Sequence, residues 1–479
     1  RCVAVEEYIG PLEEPPPSRS EAALCARPGS GEQRRTRMLL GVGVALAVVC
    51  CALLRVPVRP VQGPGAPTDA TNRGRRVRMD LGSAAAADAR CLDGSAPVFY
   101  HRAALSGPGQ RRWLLYFQGG GWCLPGEGAY APFPPSLVDR CNTRAGTQLG
   151  STAMDKEEKD LSEKPLFSRD AERNPMFHDW HVAFFRYCDG SSFASSAGLG
   201  NFHAMLQGLL ARGLSEATDI VVAGCSAGAV AAAIHGGRVQ RAVPAAFVTA
   251  LLDSGIFPDW SRSGPAADTS GEAPVGIWGL DAELRRLFEM RHLAQAGALP
   301  AGCLSRHKEA PWRCLFLEHL LPFVEVPAFV LQSRFDSSNV RSSDSSSGLS
   351  ALGDGVAWRL AEVISEKAAR GGLHHALFLD SCFHHCMNWG QIVAEGGIRQ
   401  PEAFRAWWQG PARQRDQPGT AASVYAPLVE VRWEHRPPAR NGSGPCWAAS
   451  CCPLAEFDHG FWAHTFSEEA ALRANRGSA

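Results

Sequence analysis

Ser226 is the first residue whose setting suggests chemistry. It lies in "VVAGCSAGAVAAAI", residues 221–234, flanked by Gly224 and Gly228. A Gly-x-Ser-x-Gly that follows β-branched residues and precedes a run of alanines predicts a strand, a sharp turn and a helix, with the serine on the turn. Such a turn strains the backbone and tolerates only small neighbours, and Ala227 and Ala229 are small. The helix starting behind the serine points its unpaired N–H groups at any negative charge that develops there. Ser226 is therefore a candidate nucleophile for acyl transfer. An ordinary glycine-rich turn is the plainer reading.

A serine nucleophile needs a base, a group to orient the base, and donors for the oxyanion. The chain offers each in the order Ser, then Asp or Glu, then His that α/β-hydrolases use. Three consecutive glycines in "YFQGGGWC", residues 116–123, let backbone approach a ligand, and Ala227 N–H follows the nucleophile directly. For the acid, Asp336 ends the run "AFVLQSRF", with Asp253, Asp354 and Asp380 as rivals and Asp253 the best of them. For the base, "LFLDSCFHHCMNW" supplies His384 and His385 after an apolar run; His374 and His375 precede it and would face the wrong end of a sheet. Composition does not choose between His384 and His385. A zinc site built from Cys382, His385 and Cys386 is a minor alternative, because the other cysteines lack paired C-x-x-C spacing.

These side chains need a scaffold that brings distant segments to one rim. Six short apolar runs read as strands: "WLLYFQ", "HVAFFR", "DIVVAG", "FVTALLD", "PAFVLQS" and "HHALFLD". They are too continuously apolar for strands with one wet face, and helix-like segments such as "NFHAMLQGLLARG" lie between some of them. That alternation predicts an α/β fold with a mainly parallel central sheet and helices on both faces. No internal repeat is present. The Ser-rich stretch 337–350 reads as a loop. Insertions at 124–179 and 258–325 are expected to form the substrate region, although apolar residues there, as in "GIWGLDAELRRLFEM", can equally pack as core.

The 479 residues are 45% hydrophobic and 20% charged, a globular composition with ample core. Lys+Arg and Asp+Glu both number 48, which removes any global field for recruiting nucleic acid. Residues 1–37 read as a disordered tail. Residues 38–54, "MLLGVGVALAVVCCALL", carry no charge, and Arg34, Arg35 and Arg37 precede them. This segment reads as a transmembrane signal anchor, with a cleaved signal peptide as the alternative, and the basic cluster favours a cytoplasmic N-terminus. Residues 55–90 read as a flexible stem, 91–465 as the catalytic domain and 466–479 as a C-terminal tail. Twelve of the sixteen cysteines lie beyond the apolar segment, an even number suited to disulfides in an exported domain. Asn441-Gly442-Ser443 is a glycosylation sequon.

The chain resembles the pectin acetylesterase family, which also contains the Notum-type carboxylesterases. The resemblance runs from about Cys91 to Cys452 and is carried by "CLDGSAPVFY", "WLLYFQGGGWC", "HVAFFRYCDGSSF", "VVAGCSAGAVAAAIH", "DSGIF", "PAFVLQSRFDS" and "FLDSCFHHC". It implies a secreted or membrane-tethered serine hydrolase with an α/β-hydrolase-like fold. It implies Ser226 as nucleophile, Asp336 as acid, and His385 as base, since the family's base sits in C-x-x-H-C. Backbone N–H groups of Gly121, Trp122 and Ala227 are implied as oxyanion donors, and Cys123–Cys141 and Cys303–Cys314 as disulfides. The sequence departs at Ala229 in place of a glycine, at "SSN" in place of Trp-Gln after Asp336, and at Met387 in place of Gln.

The implied reaction is ester hydrolysis through an acyl-enzyme, requiring neither metal nor organic cofactor. The expected substrate is an acylated polysaccharide such as pectin, losing acetyl groups. An acylated secreted protein losing a fatty acyl group is the alternative, and a catalytically inactive binding protein is the reading from another class. The membrane is the expected partner of residues 38–54, and nucleic acid is not expected. The catalytic domain is placed in the secretory pathway, either luminal on a type II anchor or secreted.

Overall fold

A computed structural model of the chain describes residues 72–80, 88–125, 138–162, 164–259, 280–339, most of 353–364, 375–386, 389–393, 397–413 and 431–434. All of these fall in one compact unit, Pro67–Ala479. The expected tails at 1–37 and 466–479 and the apolar segment 38–54 lie outside the described residues. Among those described, no helix is long and apolar enough to cross a membrane.

All six expected strands form: Arg112–Phe117 (β3), His181–Phe185 (β7), Asp219–Cys225 (β8), Phe247–Asp253 (β9), Ala328–Ser333 (β10) and Ala376–Asp380 (β11). They pair in parallel, in the order β11-β10-β9-β8-β3-β7, with Val431–Glu434 (β12) parallel beyond β11. Beyond β7 the pairing turns antiparallel through Val98–Arg102 (β2), Arg73–Arg78 (β1) and Glu158–Asp160 (β6). Trp122–Leu124 (β4) and Val138–Arg140 (β5) form a separate small parallel pair. The ten-stranded sheet is thus mainly parallel, as expected.

Successive side chains on each strand feed opposite cores. Trp113, Leu115 and Phe117 join one buried cluster with Val222 and Leu252. The helices Ser196–Leu210 (α1) and Ala227–Ala242 (α2) cover that face through residues such as Met205 and Val230. Leu114 and Tyr116 join the other cluster with Val221, Leu251 and Phe378. The helix Gln400–Gln409 (α4) covers it with Phe404, Trp407 and Trp408. Between them in sequence, Leu280–Met290 (α3) buries Leu284, Leu287 and Phe288, so these apolar residues of the insertion are core, whereas Met290 is exposed. Burial of each such side chain contributes about 1.5–3 kcal/mol.

One boundary is corrected. Residues 73–78 fall in the expected flexible stem 55–90, yet "RGRRVR" forms β1, paired on both sides, so the folded domain begins before residue 91. Arg73 faces Glu158 at 3.6 Å and Arg76 contacts Glu157. Exposed pairs of this kind contribute little. Two backbone ladders and the packing of Val77 on the core hold the strand instead.

Candidate active site

β8 ends at Cys225, and α2 begins at Ala227, so Ser226 alone makes the turn, at φ 59° and ψ −127°. The flanking glycines are required sterically. A Cβ on Gly224 would sit 2.1 Å from the Gly228 carbonyl oxygen, and one on Gly228 would sit 2.2 Å from that of Phe117. Ala229, the residue with the additional methyl, faces Gly255, where a Cβ would come within 2.7 Å of it. The departure is therefore accommodated by a missing side chain opposite.

Strain concentrates around this turn. Six non-glycine residues among those described have positive φ: Ser192, Phe193, Ser226, Ser254, His292 and Cys386. Ser226 N–H donates to the Asp253 carbonyl at 2.9 Å, and Cys386 N–H donates to Ser254 Oγ at 2.8 Å. The end of β9 therefore holds both the Ser226 segment and the segment that carries His385. Cys225 and Cys386 are joined by a disulfide that spans 161 residues of sequence. It links the residue before Ser226 to the residue after His385, and one His385 ring nitrogen lies within 4.8 Å of the Cys225 sulfur. This bond was outside the reach of the sequence, because the pairing of twelve cysteines is combinatorial.

His385 and Asp336 are buried and joined at 2.7 Å, Nδ1 to Oδ1. Asp336 Oδ1 also accepts from Ser338 N–H at 2.8 Å, and Oδ2 accepts from Gln332 Nε2 at 3.2 Å. Gln332 in turn accepts from Ile256 N–H at 3.0 Å, and Asn339 Nδ2 donates to the Ile256 carbonyl at 2.9 Å. The "SSN" departure thus supplies two of the groups that fix the carboxylate and its loop. Gln332 carries no motif of its own and was not singled out. Burial pulls the His385 pKa down, but the charge and hydrogen bond of Asp336, with the charge of Asp253, lift it above the ordinary histidine value.

The rival residues find each other. His384 Nε2 lies 2.9 and 3.1 Å from the two Asp380 oxygens. Burial opposes charge on His384, yet Asp380 dominates and raises its pKa to about 9. Of the other two rivals, Asp253 accepts from Ser254 Oγ at 3.0 Å and holds Ser226 N–H through its backbone carbonyl, and Asp354 lies outside the described residues. The zinc reading is overturned, since Cys382 and Cys386 both carry disulfides.

The glycine loop 119–121 lies against the elbow: a Cβ on Gly119 would be 2.3 Å from the Cys225 carbonyl and 3.1 Å from Ser226 Cβ. Gly120 and Gly121 take positive φ, 141° and 62°, which brings Trp122 into β4. Ala227 is the first residue of α2, so its N–H has no partner within the helix. Gly119 and Ala227 thus flank the serine, and Gly121 and Trp122 continue the chain from that glycine loop. Phe257 packs edge-on to Trp122 with centroids 5.3 Å apart and lies 6.2 Å from the His385 ring. The disulfides Cys123–Cys141 and Cys303–Cys314 form as the resemblance implied, and Cys91–Cys188 is added to them.

The sequence profile of the pectinacetylesterase family matches residues 71–354, more than half of the chain. The chain belongs to the pectinacetylesterase family. Like the family's members it is a carboxylic ester hydrolase, removing acyl groups. Pectin acetylesterase 7 of Arabidopsis thaliana is 28% identical over 395 residues, covering 73% of this chain and 92% of that protein. The human palmitoleoyl-protein carboxylesterase Notum is 29% identical over 274 residues, 52% of this chain and 49% of its own length. A crystal structure of the Wnt deacylase Notum from Drosophila has the same fold, with a TM-score of 0.54 at 21% identity over 70% of this chain and 93% of that one. The pectinacetylesterase profile match begins at residue 71, in accord with a domain that starts at β1 rather than at residue 91.

Proposed function

We propose that this carboxylesterase removes O-acetyl groups from an extracellular or cell-wall polysaccharide such as pectin, with Ser226, His385 and Asp336 as its triad. His385 takes the Ser226 proton through Nε2 while Nδ1–H stays bonded to Asp336. The Ser226 oxygen attacks the acyl carbonyl, and the oxyanion accepts hydrogen bonds from the N–H groups of Gly121, Trp122 and Ala227. Collapse breaks the ester bond, and the departing alkoxide takes the proton from His385. Water, activated by the same ring, then releases the carboxylic acid and restores the serine.

The observation that carries this reading is the His385–Asp336 bond of 2.7 Å on a segment tied by disulfide to the residue before Ser226. The acetyl assignment is supported by the extent of likeness, 92% of the Arabidopsis pectin acetylesterase against 49% of human Notum. The shared fold with Drosophila Notum supports the second reading, fatty-acyl removal from a secreted protein. Hydrolysis of p-nitrophenyl esters of rising chain length, with acetate release from acetylated pectin, separates the two. Acetate preference and pectin deacetylation are expected, both abolished in Ser226→Ala. Octanoate preference with no acetate from pectin would transfer the assignment to lipid removal.

Four disulfides among the described residues agree with a secretory location. We extend this to a type II anchor at residues 38–54 and a glycan on Asn441. Carbonate extraction of membranes and glycosidase digestion of the expressed chain test the two parts. Release of the protein by carbonate would sink the anchor.

A further inference from the structure

The segment "YCDGSSF", residues 187–193, has no role in the chemistry above, yet it is fully buried and carries two consecutive left-handed residues, Ser192 at φ 55° and Phe193 at φ 56°. Strain of this kind costs about 1–3 kcal/mol per residue and persists only where surrounding structure imposes it. Three groups impose it here. Asp189 accepts from Ser191 N–H at 3.0 Å and Phe193 N–H at 3.3 Å, and its carbonyl accepts from Arg291 Nη2 at 2.9 Å. Cys123 N–H donates to the Gly190 carbonyl at 3.0 Å, and Cys188 is covalently held by Cys91.

What the segment presents to its neighbours is specific. Tyr187 Oη donates to the Gly121 carbonyl at 2.8 Å and accepts from Ser192 N–H at 2.9 Å. Ser192 Oγ accepts from the Trp122 indole at 2.9 Å and donates to the Ala227 carbonyl at 2.8 Å. The Gly121 carbonyl and the Trp122 N–H belong to one planar peptide unit and point in opposite directions. A bond that pins the carbonyl on one side therefore aims the N–H on the other. The Ser192 hydroxyl meanwhile joins the donor-bearing loop to the first residue of the elbow helix, fixing the spacing between the two sets of donors.

We propose that Tyr187 and Ser192 are positioning residues of the oxyanion hole, Tyr187 aiming the Trp122 N–H and Ser192 setting its distance from the Ala227 N–H. The inference rests on Ser226 being the nucleophile. Neither side chain touches the substrate; each acts through a backbone donor. Donors misplaced by about 1 Å cost roughly a hundredfold in rate, and the loss falls on the transition state because the oxyanion exists only there.

Tyr187→Phe and Ser192→Ala each delete one oxygen and leave the apolar packing in place. Each is expected to lower kcat on p-nitrophenyl acetate about 10- to 100-fold with KM changed by less than about threefold. Affinity for a trifluoromethyl ketone, which forms the same oxyanion, is expected to fall in parallel, while the acid limb of the pH profile stays put. The double variant is expected to lose more than the worse single one, because Ser192→Ala keeps the N–H that bonds Tyr187 Oη and the two deleted oxygens act through separate bonds. Wild-type kcat in both singles, or a loss shared equally by KM, or one accompanied by a displaced acid limb, overturns the proposal even if the melting temperature falls. Ser226→Ala run alongside separates the failures: if it stays active the nucleophile assignment is wrong, and if it is dead while the two variants are unaffected only the positioning role is lost.

Discussion

Two histidine–carboxylate pairs occupy adjacent residues of one loop, and they are built in opposite ways. His384 bonds Asp380, four residues back on its own segment, where Cys382 N–H also donates to Asp380 Oδ1 at 3.0 Å. That pair closes a local turn. His385 bonds Asp336, which comes from the loop after β10 and is fixed by Gln332 from inside that strand. The next residue, Cys386, is bonded to the residue before Ser226. The same two side-chain types make a turn support in one case and a candidate catalytic pair in the other. What separates them is which distant segments each is bound to, not its own chemistry.

The largest effect expected from this contrast is on turnover. His385→Ala should lower kcat by about 10⁶ and Asp336→Asn by about 10⁴, the range for base and orienting acid in a serine triad. His384→Gln should stay within about tenfold of wild type at its own optimum pH. Steady-state rates on p-nitrophenyl acetate read all three. Comparable losses at 384 and 385 would erase the distinction. Next in size is the covalent tie. Cys225→Ala with Cys386→Ala should destabilise the domain by about 2–5 kcal/mol in denaturant unfolding. It should also cost kcat about 10- to 100-fold, because the base then drifts relative to the elbow. Loss of stability with kcat intact would mean that β9 alone positions the two segments.

The strands were legible because burial on both faces demands near-continuous apolar runs, and "DIVVAG" or "FVTALLD" leave no other reading. β1 was not, because four arginines in "RGRRVR" look like a basic stem. Only the backbone ladders to β2 and to β6, the latter far along the chain, make it a strand between two others. Ser226 was legible through sterics, since Gly-x-Ser-x-Gly is a statement about how little room the turn has. The choice between His384 and His385 rested on likeness alone until the geometry paired each with its own carboxylate. Gln332, Tyr187 and Ser192 gave no signal because a buried polar residue acquires meaning from its partner, and the partners lie up to 76 residues away in sequence.

The finest test of the contrast is electrostatic. His384 is held protonated by Asp380, with the charges of Asp336 and Asp253 adding to the effect, and its own charge pushes the His385 pKa down. His384→Gln removes that repulsion and leaves the Asp380 carboxylate unopposed, and both changes favour a protonated His385. A base that must be neutral to act then needs a higher pH, so the acid limb of kcat/KM should move up, by about one unit or less. The stability consequence has its own window. His384 titrates near 6.5 when unfolded and at about 9 when folded, so its contribution is complete below pH 6.5 and is lost as pH rises through 9. Unfolding free energies of wild type and His384→Gln should therefore differ most near pH 6 and converge above pH 9. A constant difference across that range would mean that His384 acts through packing rather than charge. An acid limb that moved down would mean that its charge is not what His385 feels.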